Sequence, residues 1–567
     1  MNIAVKFAQV ANQYNSNTAL AFLSAGRYQT ISYWQLEQYR LKLAVFLRNI
    51  GAEKGDKIAV MLTNSPQWIM SDLAAATLGL VVVPIHTTFN AEYISRIVEH
   101  SGSKFLIIYK EYFDKYKEVI NKLPLQKVIL VGGQINDESN KTLIWPDLDH
   151  VSETNIKAEQ ILPDAVHTIV YTSGTTGDPK AVMLTHHNII SDVESAKRVI
   201  PIYPTDRFFS FLPLSHAFER TAGYYVPLSA GASIFFARSS KTIIEDIRRA
   251  RPTILSSVPR IFEKIYGTIF DKVEAGSNSK KKLFFNSLQL AVAKRARKLN
   301  RWGMIKWSFL DLIVLRKIRA IFGAKLRLAI SGGASLDTKI IRFFDDLGII
   351  ILEGYGMTET SPIISVNHQG FRRFGTVGQA IDCNQVKISV DKEILVKGEN
   401  VMAGYYKNET QTAEIIDAEG WLHTGDLGFM DKEGFITIIG RAKDVIVLST
   451  GKNIFPEPIE NTLNESRYIS QSMVYGDRDK HISALIVPNF EQLKIWCRKN
   501  NVAFNLGEQK ILDFYQEKIN EKITHLSEVE QISNFKLLAE EFTQENGSLT
   551  PTLKLRRNRV LERIKYI

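Results

Sequence analysis

Short apolar runs and longer amphipathic stretches succeed one another through most of this chain. Lys57 to Leu62, Val81 to Ile85, Phe105 to Tyr109 and Val128 to Val131 are nearly continuous apolar segments of strand length. Bounded by polar residues, such segments read as buried strands. Tyr33 to Asn49, Pro66 to Leu80 and Ala91 to Glu99 instead carry helical periodicity. Strands alternating with helices predict an α/β fold of parallel sheets flanked by helices. The longest apolar stretch, Leu73 to Ile85, is interrupted by Thr77 and Pro84. It is too short to span a bilayer and reads as buried core.

The pattern changes after about residue 375. Segments such as Val386 to Val390 and Glu393 to Gly398 are shorter and punctuated by glycine, which predicts a small antiparallel or β-barrel-like subdomain. A further change falls at Gly440-Arg441-Ala442-Lys443-Asp444, and the residues beyond it have helix and strand patterns of their own. The expected division is 1–440 and 441–567, a large N-terminal domain and a smaller α+β domain.

Composition narrows the class. The chain has 567 residues, 45% apolar and 23% charged, as in globular proteins that fold in water. Two cysteines, Cys383 and Cys497, suggest no disulfide framework and fit a reducing, cytoplasmic setting. The first residues, Met1-Asn2-Ile3-Ala4-Val5-Lys6, lead into polar sequence and not into the apolar run of a secretory signal.

Charge is concentrated. Between Lys280 and Arg319 stand twelve Lys/Arg and one acid, Asp311, so this stretch alone matches the net charge of +11. Trp302, Trp307, Phe309 and several aliphatic residues are interleaved. Two readings stand side by side: a surface helical pair with its aromatics packed inward, or a face that contacts an anionic membrane. Nucleic acid is not expected, because no recognition module accompanies the charge.

The densest chemistry lies in Thr172-Ser173-Gly174-Thr175-Thr176-Gly177-Asp178-Pro179-Lys180, between the apolar runs Thr168–Tyr171 and Ala181–Leu184. Glycines let a ligand approach the backbone, and N–H groups, hydroxyls and a lysine favour an anion such as a pyrophosphate. The spacing is not that of a Walker A loop: the glycines are three apart and Lys180 follows a proline.

This loop resembles the signature of the adenylate-forming enzymes, and further motifs occur in that family's order across almost the whole chain. Gly354-Tyr355-Gly356-Met357-Thr358-Glu359-Thr360 is the second, approached by an expected strand over Leu347 to Leu352. Leu212 to Arg220, Val258 to Lys264 and the basic insert that precedes Arg327 to Ala334 resemble the long-chain fatty acyl-CoA synthetase branch. The resemblance implies that Thr172, Ser173, Gly174, Thr175, Thr176, Gly177, Lys180, Gly333, Tyr355 and Gly356 bind nucleotide. Tyr355 would lie along adenine, Thr358 would contact the α-phosphate, and Glu359 would hold Mg²⁺. Asp426 would accept hydrogen bonds from ribose hydroxyls, with Arg441 beside the same ribose. Lys443 falls at the hinge position. Lys554 matches the catalytic lysine near the C-terminus, in a Pro-Thr-x-Lys form where relatives carry Pro-Ser-Gly-Lys. His216, Gly375 and Val377 would line the acyl pocket. His186 and His187 read as helix-start residues.

The implied activity is an AMP-forming long-chain fatty acid–CoA ligase with a mobile C-terminal domain, using ATP, Mg²⁺ and CoA. Peripheral contact with the inner face of a membrane through 280–319, and a homodimer, are open expectations. Two rivals remain: an acyl-AMP ligase that loads a carrier-protein phosphopantetheine, and a non-catalytic lipid-binding protein that keeps the fold. A preference for aromatic or short acids is a further alternative.

Overall fold

A computed structural model describes residues 1–134, 141–151, 156, 160–172, 180–239, 241–543, 545–549 and 555–564. The sequence-predicted site residues Ser173, Gly174, Thr175, Thr176, Gly177 and Lys554 lie outside the described residues. Two compact units form, one of residues 1–386 and 396–422 and the other of residues 387–395 and 423–567.

Local signals explain where elements start and stop. Ser32 and Gln35 form a reciprocal capping box that opens the helix Tyr33–Asn49. Ser65 caps the helix Pro66–Leu78, Pro66 occupies its first turn, and Gly79 ends it in a left-handed conformation. The apolar run continues to Leu80, but the glycine stops the helix two residues earlier. The expected strand over Leu347 to Leu352 is displaced for a similar reason. Gly348, at φ +81°, turns the chain after the helix Thr338–Asp346, so the strand is Ile350–Gly356.

The first unit contains two large sheets. One has eight strands in the order Gly404–Tyr405, Lys180–Thr185, Val166–Thr172, Val81–Pro84, Lys57–Met61, Phe105–Tyr109, Lys127–Val131 and Thr142–Ile144. Its strands are parallel from Val166–Thr172 onward, and Lys180–Thr185 is antiparallel to both of its neighbours. The second has nine strands and is parallel through its centre, where Arg207–Ser210, Ile254–Ser257, Leu328–Ser331 and Ile350–Gly356 lie side by side. Helix Pro66–Leu78 is buried on almost all sides, with Trp68, Ile69 and Leu73 in the core.

In the second unit, Ile469–Tyr475, Ile482–Pro488 and Ile532–Leu537 form a three-stranded sheet. Ile459, Leu463, Ile486 and Tyr515 pack from helices and strands into one core. A four-stranded sheet contains the antiparallel pair Leu422–Met430 and Ile436–Arg441. Large parallel sheets flanked by helices, with a smaller C-terminal unit, agree with the expected fold class.

Candidate active site

The strands on either side of the hydroxyl-rich segment, Val166–Thr172 and Lys180–Thr185, pair antiparallel, with Thr172 opposite Lys180. Strand Gly404–Tyr405 lies on the other side of Lys180–Thr185, with Tyr405 opposite Val182. That pairing brings the buried phenol of Tyr405 under the Lys180 side chain, whose Nζ lies 4.9 Å from the ring centroid.

The second motif meets the same phenol. Glu359 lies in the 3-10 turn Thr358–Thr360, which follows the strand Ile350–Gly356. Tyr405 Oη donates to Glu359 Oε1 at 2.8 Å, and the Met402 amide donates to the Glu359 carbonyl at 2.9 Å. Burial and then the Glu359 charge push the Tyr405 phenol far above its ordinary range, so it stays a donor. Gly356 permits the turn: a Cβ there would stand 1.7 Å from the Pro362 carbonyl oxygen.

Other expected residues gather at the carboxyl edge of the second sheet. Leu328–Ser331 runs parallel to Ile350–Gly356 with Ser331 opposite Glu353, so Gly333 and Tyr355 emerge at the same edge. Half-buried His216 follows Arg207–Ser210 on that edge. This is the edge at which open α/β sheets bind ligands. The Gly375–Val377 turn is fixed nearby: Ser365 Oγ donates to the Val377 carbonyl at 2.9 Å, and Asn367 Nδ2 to the Thr376 carbonyl at 2.7 Å. His186 begins the helix His186–Val199, as its sequence context suggests.

Glu219 and Arg220, in the branch-specific run, are fully buried in support of the fold. Arg220 donates to Asp72 and, at 2.7 Å, to Thr168 Oγ1, while its guanidinium covers Trp68. Tyr224 and Tyr225 donate to Asp72 at 2.9 and 2.7 Å. Burial raises the Asp72 carboxyl, but Arg220, His167 and Tyr225 together carry it below the usual range. Thr168 belongs to the strand that leads into the hydroxyl-rich segment, so this network ties that strand to helix Pro66–Leu78. Glu219 accepts from Ser210 at 2.7 Å, and burial pushes its carboxyl well above the usual range, only partly offset by that hydrogen bond. Gly223 leaves room for it, in a π-helix over Glu219–Tyr225.

The second unit carries its own group. Asp426 and Arg441 are register partners, joined by a 2.9 Å Nε–Oδ1 contact. Thr424 Oγ1 accepts from the Asp426 amide and donates to the Ile394 carbonyl. Exposed Lys443 lies in the 3-10 turn Ala442–Asp444. Leu549 and Leu555, both described, form an isolated antiparallel bridge. Just beyond, Arg557 grips the buried carboxylate of Glu460 through both terminal nitrogens at 2.6 Å.

Among the described residues, no cluster of three or more His, Cys, Asp or Glu could hold a metal ion. A single carboxylate fits a hard cation that arrives with its nucleotide, phosphate oxygens and water completing the shell. Sequence reasoning missed Tyr405. It lies outside the recognised motifs, and only the pairing of distant strands shows its position.

Residues 7–406 match the family described as AMP-binding enzyme, and residues 443–565 match the AMP-binding enzyme C-terminal domain. The long-chain-fatty-acid–CoA ligase FadD15 of Mycobacterium bovis is 32% identical over 92% of this chain and 88% of its own length. The chloroplastic long-chain-fatty-acid–[acyl-carrier-protein] ligase AEE15 of Arabidopsis thaliana is 29% identical over 94% of this chain and 82% of its length. Among solved structures, the anthranilate CoA ligase AuaEII, bound to anthranoyl-AMP, superposes with a TM-score of 0.79. It is 19% identical, and the match covers 100% of this chain and 98% of that one.

Proposed function

Because the chain belongs to the AMP-binding enzyme family, we propose that it is an ATP-dependent ligase for long-chain fatty acids. The fatty carboxylate oxygen attacks the α-phosphorus of ATP, forming an acyl-adenylate and releasing pyrophosphate. The thiol of CoA then attacks the acyl carbon, releasing AMP and a proton. The observation that carries the reading is the convergence of Lys180 and Glu359 on Tyr405 within one unit.

In this reading the 172–180 segment, with Lys180, binds the phosphates, and Thr358 contacts the α-phosphate. Tyr355, Gly333 and Gly356 border the adenine, while Asp426 and Arg441 serve the ribose. Glu359 is the protein ligand of Mg²⁺, which would offset phosphate charge. Lys554 stabilises charge developing during adenylation. Positioning and charge stabilisation supply the catalysis, and no side-chain nucleophile is required. His216, Gly375 and Val377 border the acyl group. The C-terminal domain, 441–567, turns about Lys443 between the half-reactions, exchanging Lys554 for the face near Gly451-Lys452-Asn453.

The proposal extends to a cytoplasmic enzyme that contacts the anionic inner face of a membrane through 280–319, with a homodimer as a further feature. The large apolar residues there do not all turn inward. Trp302, Ile305, Phe309 and Leu312 are 80%, 61%, 61% and 56% exposed, at a spacing that puts them on one face of the helix Arg301–Leu310 and the turn after it. Arg295 and Arg319 are in ion pairs, with Asp345, Asp346 and Asp311. The segment's other cations form no ion pair among the described residues. A groove of about 630 Å³, floored by Tyr266, Leu288 and Phe343, runs along the helix Asn278–Arg295. Exposed apolar residues in a segment whose cations are mostly outside ion pairs suit an anionic lipid surface. Among the described residues no helix is long and apolar enough to cross a membrane.

The relative named for acyl-carrier-protein ligation keeps the acceptor a real alternative. The test is product formation with ATP, Mg²⁺ and CoA across acids from acetate to oleate, measuring AMP and thioester together. A maximum at long chains with AMP matching thioester is expected. Acyl-adenylate without CoA thioester would direct the second step to a carrier protein. No AMP with any acid would reject the ligase.

A further inference from the structure

Two motifs far apart in sequence supply opposite charges to one place, and a third element stands between them. Lys180 opens the strand Lys180–Thr185, and Glu359 lies in a 3-10 turn beyond a different sheet. Tyr405 comes from the two-residue strand Gly404–Tyr405 and touches both. Its hydroxyl lies 2.8 Å from Glu359 Oε1 and 3.5 Å from Lys180 Nζ, and its ring lies under the same ammonium.

The position of Tyr405 is fixed on each side. Its amide donates to Thr412 Oγ1 at 2.9 Å, its strand is registered on Lys180–Thr185, and the ring is 4% exposed. Strand and turn are also joined directly, because the Met402 amide binds the Glu359 carbonyl. The hydroxyl is therefore a rigid donor aimed at one carboxylate oxygen. Among the described residues no donor reaches the other oxygen, Oε2. A carboxylate fixed through one oxygen presents the other in a single direction.

We propose that Tyr405 is a positioning residue for the cation site: its hydroxyl orients the Glu359 carboxylate toward the metal–nucleotide and keeps Lys180 from pairing with it. This rests on the reading of Glu359 as the Mg²⁺ ligand. Glu359 is 7% exposed, so a direct Lys180–Glu359 pair would be poorly screened and would occupy both phosphate-site charges. The phenol gives each charge a partner without neutralising either. Groups that hold a metal-binding carboxylate in place contribute to metal affinity without touching the metal.

Tyr405→Phe keeps the ring beneath Lys180 and removes only the hydroxyl. The probe is Mn²⁺ with α,β-methylene-ATP, read as free Mn²⁺ by electron paramagnetic resonance, in wild type, Y405F, E359Q and the double variant. Loss of affinity by about tenfold is expected in Y405F, with no further loss when Y405F is added to E359Q. Wild-type affinity in Y405F would overturn the proposal, as would an equal additional loss in the E359Q background, because the hydroxyl would then act independently of Glu359. Unchanged affinity in E359Q would instead overturn the reading of Glu359 as the metal ligand, and the proposal with it.

Discussion

Glu353 lies three residues before Gly356, 8% exposed, on the strand that ends in the acidic motif. Burial raises its carboxyl to about 7, only partly offset by the Leu336 amide, 3.3 Å from Oε1. The folded chain therefore holds this proton more tightly than the unfolded chain does. The resulting stabilisation is fully present below about pH 4.5 and is lost as pH rises toward 7, amounting to about 3 kcal/mol. Glutamine imitates the neutral acid, so Glu353→Gln should gain stability relative to wild type, by up to that amount, between pH 5 and pH 8. Urea unfolding of both proteins at the two pH values checks this, and a difference that stays constant with pH would contradict it. Glu353 also shows a limit of sequence reading. Its place in an apolar run signals burial, but only the structure shows that the Leu336 amide is its hydrogen-bond partner.

At the scale of elements, much of the first unit was legible. Tyr33–Asn49, Lys57–Met61 and Phe105–Tyr109 are local elements whose caps and apolar runs are written in adjacent residues. The π-helix Glu219–Tyr225 was not legible, because its Glu219 and Arg220 bond Ser210 and Asp72, which come from other elements. Tyr405 was missed for the same reason: its strand has two residues and is defined by its partner. The basic insert stood between two readings, inward packing and membrane contact, and its apolar residues divide between inward and outward positions. Trp302 and Phe309 face outward, whereas Phe284, Leu310 and Leu315 are buried. Trp302→Ser with Phe309→Ser should thus change folding stability by no more than about 0.5 kcal/mol. It should weaken co-sedimentation with phosphatidylserine vesicles, a binding that also declines with added salt. Unaltered sedimentation that ignores salt and lipid charge would reject the membrane face. A change in oligomeric state would assign the same face to a second copy of the chain.

At the scale of the whole molecule, the proposal divides labour between half-reactions. The first unit supplies Lys180, Glu359 and the sheet edge, and the second supplies Asp426, Arg441 and the segment that contains Lys554. Lys554→Ala should slow adenylation strongly and leave thioester formation from supplied acyl-adenylate near wild type. Single-turnover assays of each half-reaction measure this, and equal loss in both would remove Lys554 from its assigned step.

The central claim is that the fatty carboxylate itself attacks the α-phosphorus of ATP. Palmitate labelled with ¹⁸O in both carboxylate oxygens, supplied with ATP, Mg²⁺ and CoA, tests it by mass spectrometry of the nucleotide products. Attack at the α-phosphorus leaves one carboxylate oxygen on the phosphate of AMP, so the AMP formed should carry one ¹⁸O. Formation of ADP with label in inorganic phosphate, or of AMP without label, would contradict the account.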